Sequence, residues 1–527
     1  MAQTYDAIVI GAGHNGLVCG TYLAKAGLKV LVLERRDVIG GAAVTEEVWP
    51  GYHVSVASYV MSLMPPKIIR ELELEKFGFE VLPTDHLFIP FPDGSSFVYW
   101  DDIGKTCAQI RKFSKKDAEA YPDFVAHLGE VIGLMRRFMW ETPPDPASRR
   151  WKDLKRTAGL LWRYRKIGGK LYRLADLLTQ SVYDYLDHWF ESDQLKAVLS
   201  YSSGIGTFAG PRTPGTAYVL IHHLMGEHEG AAGWGVMRGG MGAISKAIAV
   251  SGARFGMEVR TGAEIERVLM RDGRARGVAL KSGEEIAAKT VVANANAKLL
   301  FLKLVGEAHL PAEFVGEIRS YRTFSTAFKI NLAVDALPTY TAFKPEETGT
   351  AYPSFVHIGP TVEYLERAYD DAKYGWYSKR PFVSAVVPTF HDDTAAPPGK
   401  HIINLFGGHA PYELKGGSWD EERDHLFDTV IETIGEYAPD LKDAIIHKQV
   451  LTPPDLESLL ALPQGHIFHG ELSIDQLFFM RPAPHYADYR SPIRGLYQCG
   501  ASTHPGGGVM GVPGHNAARE ILKDLRR

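Results

Sequence analysis

Tyr5-Asp-Ala-Ile-Val-Ile-Gly-Ala-Gly-His-Asn-Gly16, continued by Leu17–Ala26, Gly27 and Lys29-Val-Leu-Val-Leu-Glu34, is the stretch that decides the fold. Tyr5–Ile10 is a short apolar run suited to a buried strand. Leu17–Ala26 reads as a helix ended by Gly27, and Lys29–Glu34 as a second buried strand. A βαβ unit of about thirty residues with Gly11-x-Gly13-x-x-Gly16 at its first turn is the dinucleotide-binding fingerprint of α/β proteins. Gly11 permits the tight turn, Gly13 lets a pyrophosphate approach the backbone, and Gly16 allows close packing of helix on sheet. Ala12, His14 and Asn15 sit between them, where the helix N-terminus offers unpaired N–H groups and a positive dipole end. Glu34 follows Gly16 by 18 residues, so its carboxylate can accept both hydroxyls of a ribose.

Outward from this unit, Arg35, Arg36 and then Gly40-Gly41-Ala42-Ala43-Val44 continue the chain. The paired glycines suit a second close approach of backbone to a flat or anionic ligand; a bare turn with positive φ has the same requirement. Past residue 60 the chain turns helical and aromatic, with helices expected over Asp117–Arg137 and Leu171–Trp189. Arg149–Arg173 carries ten Lys or Arg against one acid, Asp153, interleaved with Trp151, Leu154, Leu160, Leu161, Trp162, Tyr164 and Tyr172. That is the composition of a basic amphipathic helix at an anionic lipid interface, and equally of a solvated or self-associating face. A glycine turn at Arg238–Gly242 feeds a helix, followed by a β meander (EVRTG, EIERVLMRDG, RARGVALKSG, EEIAAKTVVAN) with turns at Asp272-Gly273 and Ser282-Gly283. Strand-like runs at Thr326–Val334, Phe382–Val387 and His401–Phe406 alternate with a helix at Glu422–Tyr437. The chain closes with a strand at Leu496–Cys499, a glycine loop over Gly500–Pro513 and a helix start. Gly506, Gly508 and Gly511 repeat the GxGxxG spacing, but too little chain follows for a second βαβ unit.

Composition bounds the remaining classes. With 527 residues, two or three compact units are expected, and 45% hydrophobic with 23% charged residues is ordinary for a globular chain. Against 62 acids stand 58 Lys or Arg, a net charge of −4, so no global basic excess supports nucleic-acid binding. Cys19, Cys107 and Cys499 form no CxxC pair, which argues against redox-active disulfide chemistry and for a reducing compartment. No basic region precedes the first apolar run, from which a cytoplasmic location is expected.

GAGHNGLVCGTYLAKAGLKVLVLERRDVIGGAAVTEE and GLYQCGASTHPGGGVMGVPGHNAA resemble the two ends of the phytoene desaturase-like branch of the flavin amine-oxidase fold. Within it, DHWFESDQLKAVLS, TPGTAYVLIHHLMG and the stretch Leu451–Pro484 are similar to the family of pyridine nucleotide-disulfide oxidoreductase domain-containing proteins. The resemblance spans the chain and implies a Rossmann-like FAD-binding domain (1–70, 231–300 and 476–527) with a discontinuous mixed α+β substrate domain (71–230 and 301–475). It places FAD pyrophosphate on Gly11–Gly16, adenosine ribose on Glu34 with Arg35 and Arg36 beside it, and Gly40, Gly41, Ala42, Ala43 and Val44 along the way to the flavin. Ile265 would meet adenine; Gly500, Ala501, Gly508, Met510, Gly511, Val512 and Pro513 would close over pyrophosphate and isoalloxazine. Animal members of the family are mitochondrial, whereas the N-terminal sequence leads to the expectation of a bacterial cytoplasmic form without a transit peptide.

The chemistry implied is hydride transfer between a lipophilic, polyene-like or isoprenoid-like small molecule and flavin N5, with oxygen or a quinone as electron acceptor and peripheral membrane contact through Arg149–Arg173. An amine or amino-acid oxidase on the same fold, and a non-catalytic FAD-containing partner of a membrane complex, are the competing readings. His504 is the acid–base candidate, since its loop is expected to pass near the flavin. Arg481 is read either as an anion holder or as a buried partner of Asp475. His222, His223 and His228 lack the spacing that aligns ligands on one helix face, so no metal is expected.

Overall fold

The computed structural model describes residues 4–84, 86–226, 234–325 and 327–526. Its first sheet contains β1 (Tyr5–Ile10), β2 (Val30–Leu33), β3 (Glu258–Arg260), β4 (Ile265–Arg271), β5 (Arg274–Leu280), β6 (Glu285–Ala293) and β7 (Leu496–Gln498). The order is β4-β5-β6-β1-β2-β3, with β7 also pairing β6. Strands β6, β1, β2 and β3 run parallel, as does β7 beside β6. The helices used below are α1 (His14–Lys25), α2 (Trp151–Tyr164), α3 (Lys170–Thr179), α4 (Thr216–Leu224), α5 (Gly242–Ala253) and α6 (Val512–Leu525).

Both faces of this sheet are covered, which is why Ala7–Ile10 of β1 and all of β2 are apolar without alternation. Ala7 and Val9 pack into the core that holds Leu17 of α1, Ile244 of α5 and Ile521 of α6. Ile8 and Ile10 face the other way, into the layer made by Val268, Val278 and Phe301. The period of two along one strand thus divides the two halves of the domain.

The second sheet runs in the order Ile445–Leu451, Ala327–Val334, His401–Gly408, Phe382–Val386, Phe355–Ile358, Leu87–Pro90 and Ser96–Tyr99. Its pairs are antiparallel except for the one between Phe355–Ile358 and Leu87–Pro90. The Leu87–Tyr99 hairpin therefore belongs to the second sheet although more than 200 residues separate it from the other strands of that sheet. Asn331 of this sheet donates to the Val56 carbonyl at 3.1 Å, joining it to the glycine-rich segment that leaves the first sheet.

Three sequence expectations change. The EVR segment is not part of the meander: β3 adds to β2 as a parallel edge strand. Leu171–Trp189 divides after Thr179, because Ser181 caps a new helix, Val182–Asp187, by accepting from the Asp184 N–H. Arg149–Arg173 likewise divides into α2 and α3, at a link whose Gly168 has φ +51°. Thr326, the expected first residue of its strand, lies outside the described residues.

Helix α6 packs along α1 so closely that a Cβ on Gly514 would meet the Asn15 carbonyl oxygen at 2.1 Å. Gly514→Ala is accordingly expected to cost about 1–3 kcal/mol of stability through overpacking. Thermal unfolding of the purified variant beside wild type measures this, and an unchanged midpoint would refute the helix contact.

Candidate functional site

A cavity of about 580 Å³ runs from the β2 end of the first sheet to the second sheet. Its course can be followed through backbone contacts. At one end Glu34 accepts the Ala12 N–H at 2.9 Å and the Arg36 N–H at 3.1 Å. The Ala263 N–H donates to the Glu34 carbonyl at 2.7 Å, which brings Ile265 to the same end. In the middle, Gly13 bridges Gly40, whose N–H donates to Ala12 at 2.9 Å. The Ser58 N–H then donates to Ala42 at 2.9 Å, leading to Tyr59 at the far end. There Tyr59 stacks with Phe406, ring centroids 5.8 Å apart, and Lys329 sits over the Tyr59 ring at 5.2 Å. Val60, Ile205, Trp234, Phe328 and Phe468 complete an apolar and aromatic wall.

The middle section fits a diphosphate. Two helices begin beside it: α1 after Gly13, and α6 after Gly511, which caps it with φ +70°. Gly508 and Gly13 line the cavity, and a Cβ on Gly13 would meet Asn294 Nδ2 at 2.7 Å. Asn15 Oδ1 is buried there without a partner. His14 Nε2–H donates to the Gly508 carbonyl at 3.0 Å, and His222 Nε2–H to Gly507 at 2.9 Å, fixing the C-terminal glycine loop. Burial holds both imidazoles neutral, His14 at about 4 and His222 at about 3. The carboxylate end suits a ribose, the double helix start suits the phosphates, and the aromatic end suits a flat ring.

Of the residues expected from sequence, Gly11, Gly13, His14, Asn15, Glu34, Arg35, Arg36, Gly40, Gly41, Ala42, Ile265, Ala501 and Gly508 line the cavity. Ala12, Gly16, Ala43, Val44, Gly500, Met510, Gly511, Val512 and Pro513 stand behind its wall. There Gly16 is compelled by the Gly11 carbonyl, 2.3 Å from any Cβ, and Gly500 by the Asn294 carbonyl at 2.4 Å. Both arginines are tethered by protein groups: Arg35 donates to the Ser458 carbonyl at 2.9 Å and the Leu459 carbonyl at 2.5 Å, and Arg36 pairs with Glu46 at 2.7 Å.

His504 is a correction. Its Nε2–H is committed to the Phe138 carbonyl at 3.0 Å, it does not line the cavity, and burial lowers its pKa to about 4. Arg481 is a second one, for neither expectation describes it. Fully buried, it donates to the carbonyls of Ala501, Glu471, Gln476, Phe468 and Gly470, at 2.9–3.2 Å, while Asp475 pairs with Arg322 at 2.8 Å. The guanidinium ties Phe468 and Ala501, both cavity residues, into one frame. No metal-ligating cluster occurs among the described residues, and His228 lies outside them. Cys19 and Cys499, remote in sequence, meet thiol to thiol in the core, a pairing that spacing could not show.

Lys329 is the functional candidate that sequence reading missed. Although 2% exposed, it has no carboxylate within 4 Å among the described residues and is hydrogen-bonded to Asn331. Burial pushes its pKa well below the usual lysine value, favouring the neutral amine. The available signal was a lysine inside Ala327–Val334, a strand buried at every position. His223 and His469 also reach the cavity; His223 Nε2 and His469 Nδ1 are buried without partners.

Glu34→Ala is expected to weaken flavin retention by about tenfold or more, since two backbone N–H groups and the ribose lose a charged acceptor. Reconstitution titrations of the apoprotein measure this. Lys329→Met is expected to raise stability, because an amine buried without a counter-ion is replaced by an apolar chain of similar length. With the folded pKa depressed, the unfolded state binds the extra proton between that value and ~10.4. The advantage of Lys329→Met is therefore greatest at low pH and shrinks as pH rises through that window. A gap between the two unfolding curves that widens with pH would overturn the assignment.

Comparison with known proteins agrees with this geometry. Residues 16–354 match the family model described as flavin containing amine oxidoreductase. Pyridine nucleotide-disulfide oxidoreductase domain-containing protein 2 of Rattus norvegicus is 40% identical over 546 residues, covering 99% of this chain and 94% of its own. One of the limonene dehydrogenase polypeptides of Castellaniella defragrans is 29% identical, over 99% of this chain and 95% of its own. Among solved structures, an oxidoreductase from Methanosarcina mazei superposes with a TM-score of 0.60 at 16% identity, over 100% of both chains, a likeness of fold. The chain belongs to the flavin containing amine oxidoreductase family and is an FAD-dependent oxidoreductase.

Proposed function

We propose that this enzyme dehydrogenates a lipophilic, isoprenoid-like substrate at adjacent carbons. The observation that carries the reading is the far end of the cavity. Its wall combines Tyr59, Trp234, Phe328, Phe406 and Phe468 with one buried, uncompensated amine, Lys329. Such a wall takes up an apolar molecule by burial of its surface and excludes water from the reacting carbons. The name of the limonene dehydrogenase relative, which denotes oxidation of a terpene hydrocarbon, supports the same direction.

Glu34, Gly13, His14 and Gly508 would hold FAD, which when bound would supply a two-electron hydride acceptor, with oxygen or a quinone as the terminal acceptor. Removing a hydride from one carbon leaves a proton to be taken from its neighbour. Neutral Lys329 accepts that proton at Nζ, a role its uncharged form and apolar surroundings suit. Asn331, anchored by Gln449 at 2.8 Å and Val56 at 3.1 Å, orients the amine.

An amino-acid oxidase would need a cation for the substrate carboxylate at the ring end. Of the other lining cations, Arg35, Arg36, Lys281 and Lys303 belong to the opposite end, and Arg481 is consumed by carbonyls. A non-catalytic partner would have side chains in place of the cavity.

Anaerobic mixing with cyclic and acyclic terpenes or polyenes is expected to bleach the flavin and yield a product with one more double bond. Lys329→Met should retain flavin and lose about 10²–10⁴-fold in rate. Wild-type activity should fall as pH drops through the depressed Lys329 pKa. Peroxide production on an amine panel, with no bleaching by any hydrocarbon, would replace this reading by an amine oxidase.

A further inference from the structure

Helix α2 is amphipathic in the wrong sense for a globular protein. Trp151, Leu154, Leu161 and Trp162, spaced to share one face, point to solvent, with Trp151 78% and Trp162 68% exposed. The opposite, inward face is polar: Asp153 accepts from Ser148 at 2.6 Å, and Arg156 pairs with Glu520 at 2.9 Å. Leu171 and Tyr172 of α3, 60% and 79% exposed, extend the apolar face. Arg149, Arg150, Lys155, Arg165 and Lys166 border it with no carboxylate within 4 Å among the described residues.

We infer that α2 and α3 form a docking platform for an anionic lipid bilayer. Residues 149–173 carry ten cations and one acid, a net +9, so the rest of the chain carries −13 to make up the total of −4. Cations concentrated on one face of an otherwise acidic protein orient that face toward a negative surface. Trp and Tyr are the side chains suited to the boundary between headgroups and acyl chains, and the leucines supply buried apolar area. A two-fold contact between copies through this face would set Arg149, Arg150, Lys155, Arg165 and Lys166 against the same cations of the other copy. No helix among the described residues is long and apolar enough to cross a membrane, so the platform lies on the surface. Through α3 it rests on α4, the helix that carries His223 into the cavity.

The test uses the flavin-loaded protein and sedimentation with phosphatidylcholine vesicles, with and without phosphatidylglycerol. Wild type should sediment with the anionic vesicles, and added salt should release it. Combined Trp151→Ser, Leu161→Ser and Trp162→Ser should reduce binding by about tenfold or more. Lys155→Gln, Arg165→Gln and Lys166→Gln together should remove the preference for anionic lipid. All six positions face solvent, and an unchanged melting temperature and flavin spectrum certify folding. Wild type left in the supernatant, apolar variants that bind as well as wild type, or a dimer by analytical ultracentrifugation that the apolar variants abolish would each overturn the proposal, the last in favour of self-association.

Discussion

The contact between the two ends of the chain is the constraint on which the site depends. Gly514 lets α6 lie against the Asn15 carbonyl, and no side chain fits between them. The start of α1 thereby lines the cavity through Gly13, His14 and Asn15, while the start of α6 stands behind the wall to which Gly508 belongs. The same closure brings Gly508 over His14 and Gly507 over His222, whose neutral rings donate to loop carbonyls. Charged imidazoles would add burial cost without adding an acceptor there, which is why desolvation holds them neutral.

The interior treats two of its buried cations, Arg481 and Lys329, differently, and the difference separates support from chemistry. Arg481 is surrounded by carbonyl oxygens that satisfy its planar fork, so it stays a fixed strut between the segments carrying Phe468 and Ala501. Lys329 has an amide and an aromatic face but, among the described residues, no carboxylate within 4 Å, and burial pushes it toward the neutral amine. A group whose proton is easily lost in a dry apolar chamber is suited to exchange protons. A saturated guanidinium is not.

Similar logic applies at the surface. α2 directs ion pairs inward and tryptophans outward because its inner neighbours, Glu520 and Asp488, are acids anchored by Arg490. Sequence composition alone suits a solvated helix, a partner helix and a lipid-facing helix equally. Which side of the helix the protein covers distinguishes them.

Local chemistry was sufficient to place the nucleotide cradle in the sequence. A turn that needs Gly11 at φ +91°, a helix starting at His14 and an acid closing β2 are near-neighbour requirements, so each leaves its mark within thirty-odd residues. The meander turns at Asp272-Gly273 and Ser282-Gly283 were legible for the same reason. Contacts between distant strands left no such mark. Asn294 against Gly13, Lys329 over Tyr59, Cys19 beside Cys499 and the turn of His504 toward Phe138 all depend on which elements stack across hundreds of residues. Where a dinucleotide is held can thus be read from neighbouring residues along the chain. Which buried groups face the reacting end follows from packing alone, because desolvation and the supply of hydrogen-bond partners are properties of the assembled interior.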